Sequence, residues 1–249
     1  VKVEKQLIRR VTGGKFEKRA NLEVSDVDLG LIAQQVPDGF AAPTAADVYT
    51  ASALVCNDLI DSYSTRFTLT ALQQIVQLLP GANVMRNHNE YASDDLPIAR
   101  CYAAELVQQA DGWYVRAKFY WERGTDCGEE MGRKIALGIW REVSLSWWMR
   151  SFTNSVTGTD FDDTPGSYAG QELPDGQTVV GVMDDVVEVN EFSVVARGGQ
   201  LNTSMNPANR KDGMPDVLEL VSAARARAKQ PKLPDPREAW GSLWIEGAA

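Results

Sequence analysis

The sequence predicts an α+β protein in which antiparallel strands dominate and a few helices pack beside them. Three observations carry this. Trp113 to Trp121 alternates Trp, Val, Ala, Phe and Trp with Tyr, Arg, Lys and Tyr behind an Ala110-Asp111-Gly112 turn, the pattern of a β-hairpin. Further β-rich runs recur along the chain, whereas the helical patterns are short and do not alternate regularly with the strands. The nucleophile elbow GxSxG is absent as well, which excludes an α/β-hydrolase.

The elements follow in chain order. Residues 1–25 hold seven basic and three acidic side chains around a Gly13-Gly14 break, and read as a basic edge hairpin or a mobile arm. Residues 26–45 contain Pro37-Asp38-Gly39 and Pro43 and read mainly as loop. Val48 to Cys56, VYTASALVC, is the first strand. Thr68 or Thr70 caps a helix through Leu79, with Leu72, Ile75, Val76 and Leu79 at helical spacing and Pro80-Gly81 as its stop. A short segment from Asn83 to His88 precedes the hairpin, whose first strand is Ile98 to Val107.

Gly124 and Gly138 delimit a helix over Thr125 to Leu137, and IWREVSLSWWMR, Ile139 to Arg150, reads as a buried strand. Residues 151–178 are polar and read as a long loop or exposed hairpin. Val179 to Met183 and Val186 to Ala196 read as two strands. The folded domain is thus expected over 26–205. Beyond it, Pro215 opens an amphipathic helix with Val217, Leu220, Val221 and Ala224 on one face. Pro231, Pro234 and Pro236 then impose extended chain, so 206–249 reads as a helix and Pro-rich docking tail.

Composition narrows the function. The 249 residues carry 25 basic and 34 acidic side chains, a net charge of −9. Residues 1–205 hold 18 basic against 28 acidic groups and the tail is near neutral, so direct nucleic-acid binding is not expected. No apolar run approaches a membrane span and VKVEKQLIRR lacks a signal-peptide core, so no membrane partner and an intracellular setting are expected. Cys56, Cys101 and Cys127 are widely spaced and read as reduced thiols. A single histidine excludes HExxH zinc and three-His sites, and no cofactor or metal is expected. Asp160, Asp162 and Asp163 do not open an EF-hand loop, because Pro165 and Gln171 stand where Gly and Glu are needed. Gly13-Gly14-Lys15 is no phosphate loop, since Phe16 replaces the Ser or Thr.

Three positions remain that combine into nucleophilic chemistry. His88 follows the short segment NVMRN, where its ring could project from a strand end. Ser144 and Ser146 share one face of the EVSLS strand, opposite Val143, Leu145 and Trp147. Glu191 lies in an otherwise apolar strand, where a buried carboxylate needs a partner. Taken singly, each has a plainer reading as an ordinary surface or core residue.

The order of these segments resembles a known family. NVMRNHN, then an IAR strand and a Gly-turned hairpin, then a helix ending at Gly, a VSLS strand and a late EFSVV strand resemble the prohead (capsid maturation) serine proteases of tailed bacteriophages. Their pattern runs nHd, piG, dGl.v, G....vSiGf and EvSlV..PA, and the resemblance spans about residues 46 to 204. The SLS segment is also similar to that of the herpesvirus assemblin proteases.

The resemblance implies an assemblin-like protease fold: a small closed or partly open, mainly antiparallel β-barrel flanked by helices. It implies Ser144 as nucleophile, His88 as general base and Glu191 as the group that orients His88, with Ser146 a bystander. Glu188, Asp184 and Asp185 stand as alternatives for the third role, although Glu188 faces away from Glu191 on a regular strand. Arg197 and the Gly198 and Gly199 amides are the candidate oxyanion donors, at positions where the phage pattern has Pro-Ala. The implied function is a serine endopeptidase acting inside the prohead in the host cytoplasm. Its implied substrates are the scaffolding segment and the major capsid protein, together with its own tail, and its implied state is a homodimer or higher assembly. The alternatives are a non-catalytic virion or assembly protein that keeps the fold, and an intracellular esterase or amidase on an unrelated barrel.

Overall fold

In the computed structural model of the chain, the described residues are 7–16, 24–88 and 96–195. They form eight strands and three helices: β1 (Leu7–Phe16), α1 (Asp26–Ala33), β2 (Val48–Asn57), β3 (Thr65–Phe67), α2 (Leu69–Leu78), β4 (Asn83–Arg86), β5 (Ala99–Gln108), β6 (Trp113–Glu122), α3 (Asp126–Ala136), β7 (Glu142–Asn154) and β8 (Gly181–Val195). The protein is therefore α+β, with one curled mixed sheet.

The strand order is β3-β8-β4-β5-β6-β2-β1-β7, and β7 pairs back onto β8. The ladder thus returns to its start and curls the sheet into a half-barrel. It stays partly open because two seams are short. β4 meets β5 only through Asn83–Arg100 and Val84–Ala99, and β1 meets β2 only through Lys15–Leu54 and Phe16–Ala53. Every pairing is antiparallel except β3 with β8 and β4 with β8, which are parallel.

Helix α2 packs one face against β8, β5 and β6. Thr68 caps it, accepting from the Ala71 N–H at 3.0 Å and donating to Asp184 Oδ1 at 2.7 Å, so the cap also ties the helix to β8. Ala71, Leu72, Ile75 and Leu79 are fully buried, on the face the sequence periodicity predicts. Phe67 packs edge-on to Trp147 of β7 at 5.0 Å, and Phe119 of β6 meets Phe192 of β8 at 5.5 Å. These aromatic pairs anchor β7 and β8, the two strands that carry the candidate site. Helix α3 lies close against the end of β6, where Trp121 Nε1 donates to the Gly128 carbonyl at 3.0 Å.

The structure departs from the sequence-based expectations in four places. Residues 7–16 are neither edge hairpin nor arm but an inner strand between β2 and β7. The expected loop at 26–45 opens with α1, whose Ser25 cap and Asp28 bond reciprocally: the Asp28 N–H donates to Ser25 Oγ, and Ser25 Oγ donates to Asp28 Oδ2. β7 runs on through Asn154, so the following connection is shorter than expected and includes a 3-10 turn at Phe161–Asp163. The two strands expected at 179–183 and 186–196 are one, β8, with Asp185 at φ 49° and a register shift to β7 just beyond it, between Val186 and Glu188. The expected tail at 206–249 lies outside the described residues. Among the described residues no helix is long and apolar enough to cross a membrane.

Candidate active site

The last five residues of β8, Glu191–Val195, are flanked on both sides. β4 runs parallel along one edge, pairing Asn83 with Glu191, Met85 with Ser193 and Arg86 with Val194. β7 runs antiparallel along the other, pairing Ser144 with Ser193 and Ser146 with Glu191. Strand pairing alone therefore brings the ends of three segments distant in sequence to one place.

Past Arg86 the chain turns through two consecutive residues in the left-handed region, Asn87 at φ 53° and His88 at φ 54°. Left-handed non-glycine backbone costs about 1–3 kcal/mol per residue and persists only where its surroundings hold it. Here β8 holds it. The Asn87 N–H donates to the Val194 carbonyl at 3.0 Å, and the His88 N–H donates to Ser193 Oγ at 2.9 Å.

So placed, the imidazole bridges two strands. His88 Nδ1 lies 2.5 Å from Glu191 Oε1, and His88 Nε2 is hydrogen-bonded to Ser144 Oγ. Ser193 Oγ donates to the second carboxylate oxygen, Glu191 Oε2, at 2.7 Å. With Nδ1–H donated to the carboxylate, Nε2 is left as the acceptor for the serine hydroxyl. The chain is buried: Ser144 and Ser193 are 0% exposed, Glu191 2% and His88 8%. A carboxylate at that depth is costly unless it is paired, and here each of its oxygens has a donor.

The remaining predicted positions are placed as follows. Ser146 is also fully buried, but its hydroxyl receives Asn190 Nδ2 at 3.3 Å, and Ser144 is the serine bonded to His88. Glu188 is exposed beside Trp148, on the face away from His88. Asp184 accepts from Thr68 and from the Asp185 N–H, so its carboxylate serves the α2 cap. Arg197, Gly198 and Gly199 lie outside the described residues. The sequence reading missed Ser193, although its period-two spacing from Glu191 puts both on one face of β8.

A cleft of about 490 Å³ opens beside the chain, with Asn87, Glu142 and Val194 among its lining residues, each one or two positions from a member of the hydrogen-bonded chain. Arg86, Trp140 and Arg141 complete much of the wall. The Arg86 guanidinium stands 5.4 Å over the Trp140 ring and reaches Cys127 Sγ at 3.3 Å. Among the described residues no group of three or more His, Cys, Asp or Glu could hold a metal ion.

The arrangement can move a proton from a serine hydroxyl to an imidazole and stabilise the cation so formed, which is what nucleophilic acyl transfer requires. Comparison with protein-family models, curated proteins and solved structures finds no match.

Proposed function

We propose that the protein is a serine endopeptidase of the assemblin-like kind, acting on the major capsid protein and its scaffolding segment during phage head assembly. The observation that carries this reading is the continuous chain Ser144 Oγ, His88 Nε2, His88 Nδ1, Glu191 Oε1, drawn from three strands. The order of the segmental motifs supports the substrate class and the assembly setting.

The chemistry follows from the geometry. Ser144 Oγ attacks the scissile carbonyl carbon as its proton passes to His88 Nε2, and the imidazolium is stabilised by Glu191. The tetrahedral intermediate collapses as the C–N bond breaks, and His88 gives the proton to the leaving amine. Water, deprotonated by the same imidazole, then hydrolyses the acyl-enzyme and restores Ser144. General acid–base transfer of this kind contributes about 10²- to 10⁴-fold. Donors for the oxyanion are proposed at Arg197, Gly198 and Gly199.

The cleft beside His88 has an apolar wall in Val194 and Val195 and charged groups in Arg86, Arg141 and Glu142, a surface suited to an extended peptide. Ser144 itself is fully covered, so its cover must open before a peptide bond reaches it. That same burial favours a second reading, a virion or assembly protein that keeps the fold without turnover.

Co-expression with the capsid precursor separates the two, with intact-mass spectrometry of both chains. The protease reading expects a truncated precursor with wild type and an intact one with Ser144→Ala. An uncut precursor with folded wild type supports the structural reading.

A further inference from the structure

Ser193 is a polar residue of the site to which the proton transfers above give no role. It is fully buried in the centre of the constellation, in register with Met85 of β4 on one side and Ser144 of β7 on the other. Its hydroxyl makes two bonds at once: it accepts from the His88 backbone N–H at 2.9 Å and donates to Glu191 Oε2 at 2.7 Å. A hydroxyl has one proton to give and lone pairs to spare, so the two bonds are compatible.

We propose that Ser193 is a positioning residue of the site, locking the Glu191 carboxylate and the His88 backbone into a single geometry. The inference rests on the serine-protease reading. The bond to Glu191 occupies the carboxylate oxygen that His88 does not use, which fixes the rotation of the carboxylate and aims Oε1 at Nδ1. The bond from His88 satisfies the N–H of a residue in left-handed backbone, φ 54°, and so holds the turn that carries the imidazole. Asn87, its neighbour in the same conformation, is held by the Val194 carbonyl, a backbone group no substitution removes. Of the two bonds holding this turn, the one to His88 is therefore the one that depends on a side chain. Ser193 is bonded to Glu191 and the His88 backbone, and acts through them.

Removing the hydroxyl strands two buried polar groups, with no solvent at hand to replace it. The effect should fall on the chemical step rather than on binding. The test is the rate of covalent labelling by a fluorophosphonate probe, measured over a range of probe concentrations. Thermal unfolding of each variant is followed so that rates are compared on folded protein.

Ser193→Ala is expected to lower the limiting rate about 10- to 100-fold while the half-saturating probe concentration stays unchanged. Ser193→Cys, of similar size with a weaker donor and acceptor, should fall between, and it carries the test if the alanine variant does not fold. In a Glu191→Gln background the alanine substitution should cost less than it does in wild type, because one of the two groups it acts through has already been altered.

Wild-type rates in both single variants would overturn the proposal while leaving the protease reading intact. So would an undiminished effect in the Glu191→Gln background. Folded wild type that takes no label overturns the protease reading itself, and this inference with it.

Discussion

In the proposed reaction His88 is the residue on which the chemistry turns, because a chain with one histidine has one imidazole base to offer. Its hydrogen-bonded partner Glu191 would there orient it and balance the charge it gains. Glu191→Gln preserves the shape of the contact and removes that charge. It should lower the fluorophosphonate labelling rate on the order of 10⁴-fold, as loss of the third member does in other triads. A rate within a few-fold of wild type, on folded protein, would remove Glu191 from the role.

At this scale much was legible. Glu191 stood out as a carboxylate in an apolar strand, and Ser144 and Ser146 as serines on one face of another. Choosing between the two serines was not possible from alternation, since residues two apart share a face. The choice depends on which one meets His88, a contact spanning 56 positions. Ser193 went unread because a serine carries no charge to draw notice in a β-strand, and its importance lies wholly in what surrounds it.

Among the elements, α2, the β5–β6 hairpin and α3 matched their patterns because each is specified locally: a Thr cap with a Pro-Gly stop, a Gly turn followed by alternation along β6, and a segment delimited by Gly124 and Gly138. α1 was missed because it has no such stripe, and only Ile32 among its residues is buried. Its legible signal was the Ser25 cap with Asp28 three residues on. Residues 1–25 read as a basic edge hairpin or a mobile arm, whereas the backbone of β1 joins β2 to β7. β8 was divided at Asp184-Asp185, where the backbone is irregular at φ 49° yet pairing to β7 continues on both sides.

Asp184 also carries a prediction. Thr68→Ala removes both the α2 cap and the donor to Asp184 Oδ1. The loss should be about 1–2 kcal/mol in urea unfolding, with an unchanged m-value. No measurable loss would mean that the cap does not tie α2 to β8.

Across the whole molecule, closure of the half-barrel comes from pairings between distant segments, above all β1 with β7 and β7 with β8. Local patterns specify strands but not their neighbours, so the strand order lay beyond the sequence. The charge balance has a consequence at this scale too. Burial alone would raise the Asp28 pKa, but hydrogen bonds from Ser25 and Tyr102 and the nearby Lys118 ammonium outweigh it and hold the carboxyl below its ordinary 3.8. The Gly124 N–H and the Tyr49 hydroxyl lower Glu129, and Lys134 lowers Glu130, from an ordinary 4.5.

For carboxyls depressed by folding, the stabilisation is full above the unfolded value and is lost as pH falls through the folded one. The thermal midpoint should therefore fall as pH drops from 4.5 through and below 3.8, and Asp28→Asn should flatten part of that slope. A midpoint unchanged across that window would show that these contacts do not stabilise the fold.

The proposed reaction requires Ser144 to be an activated nucleophile. Peptide mapping of the folded protein after exposure to a fluorophosphonate should find the covalent adduct on Ser144. The adduct should be lost in Ser144→Ala and His88→Ala and retained in Ser146→Ala. Folded wild-type protein that carries no adduct, or carries it on another residue, would contradict a nucleophilic role for Ser144.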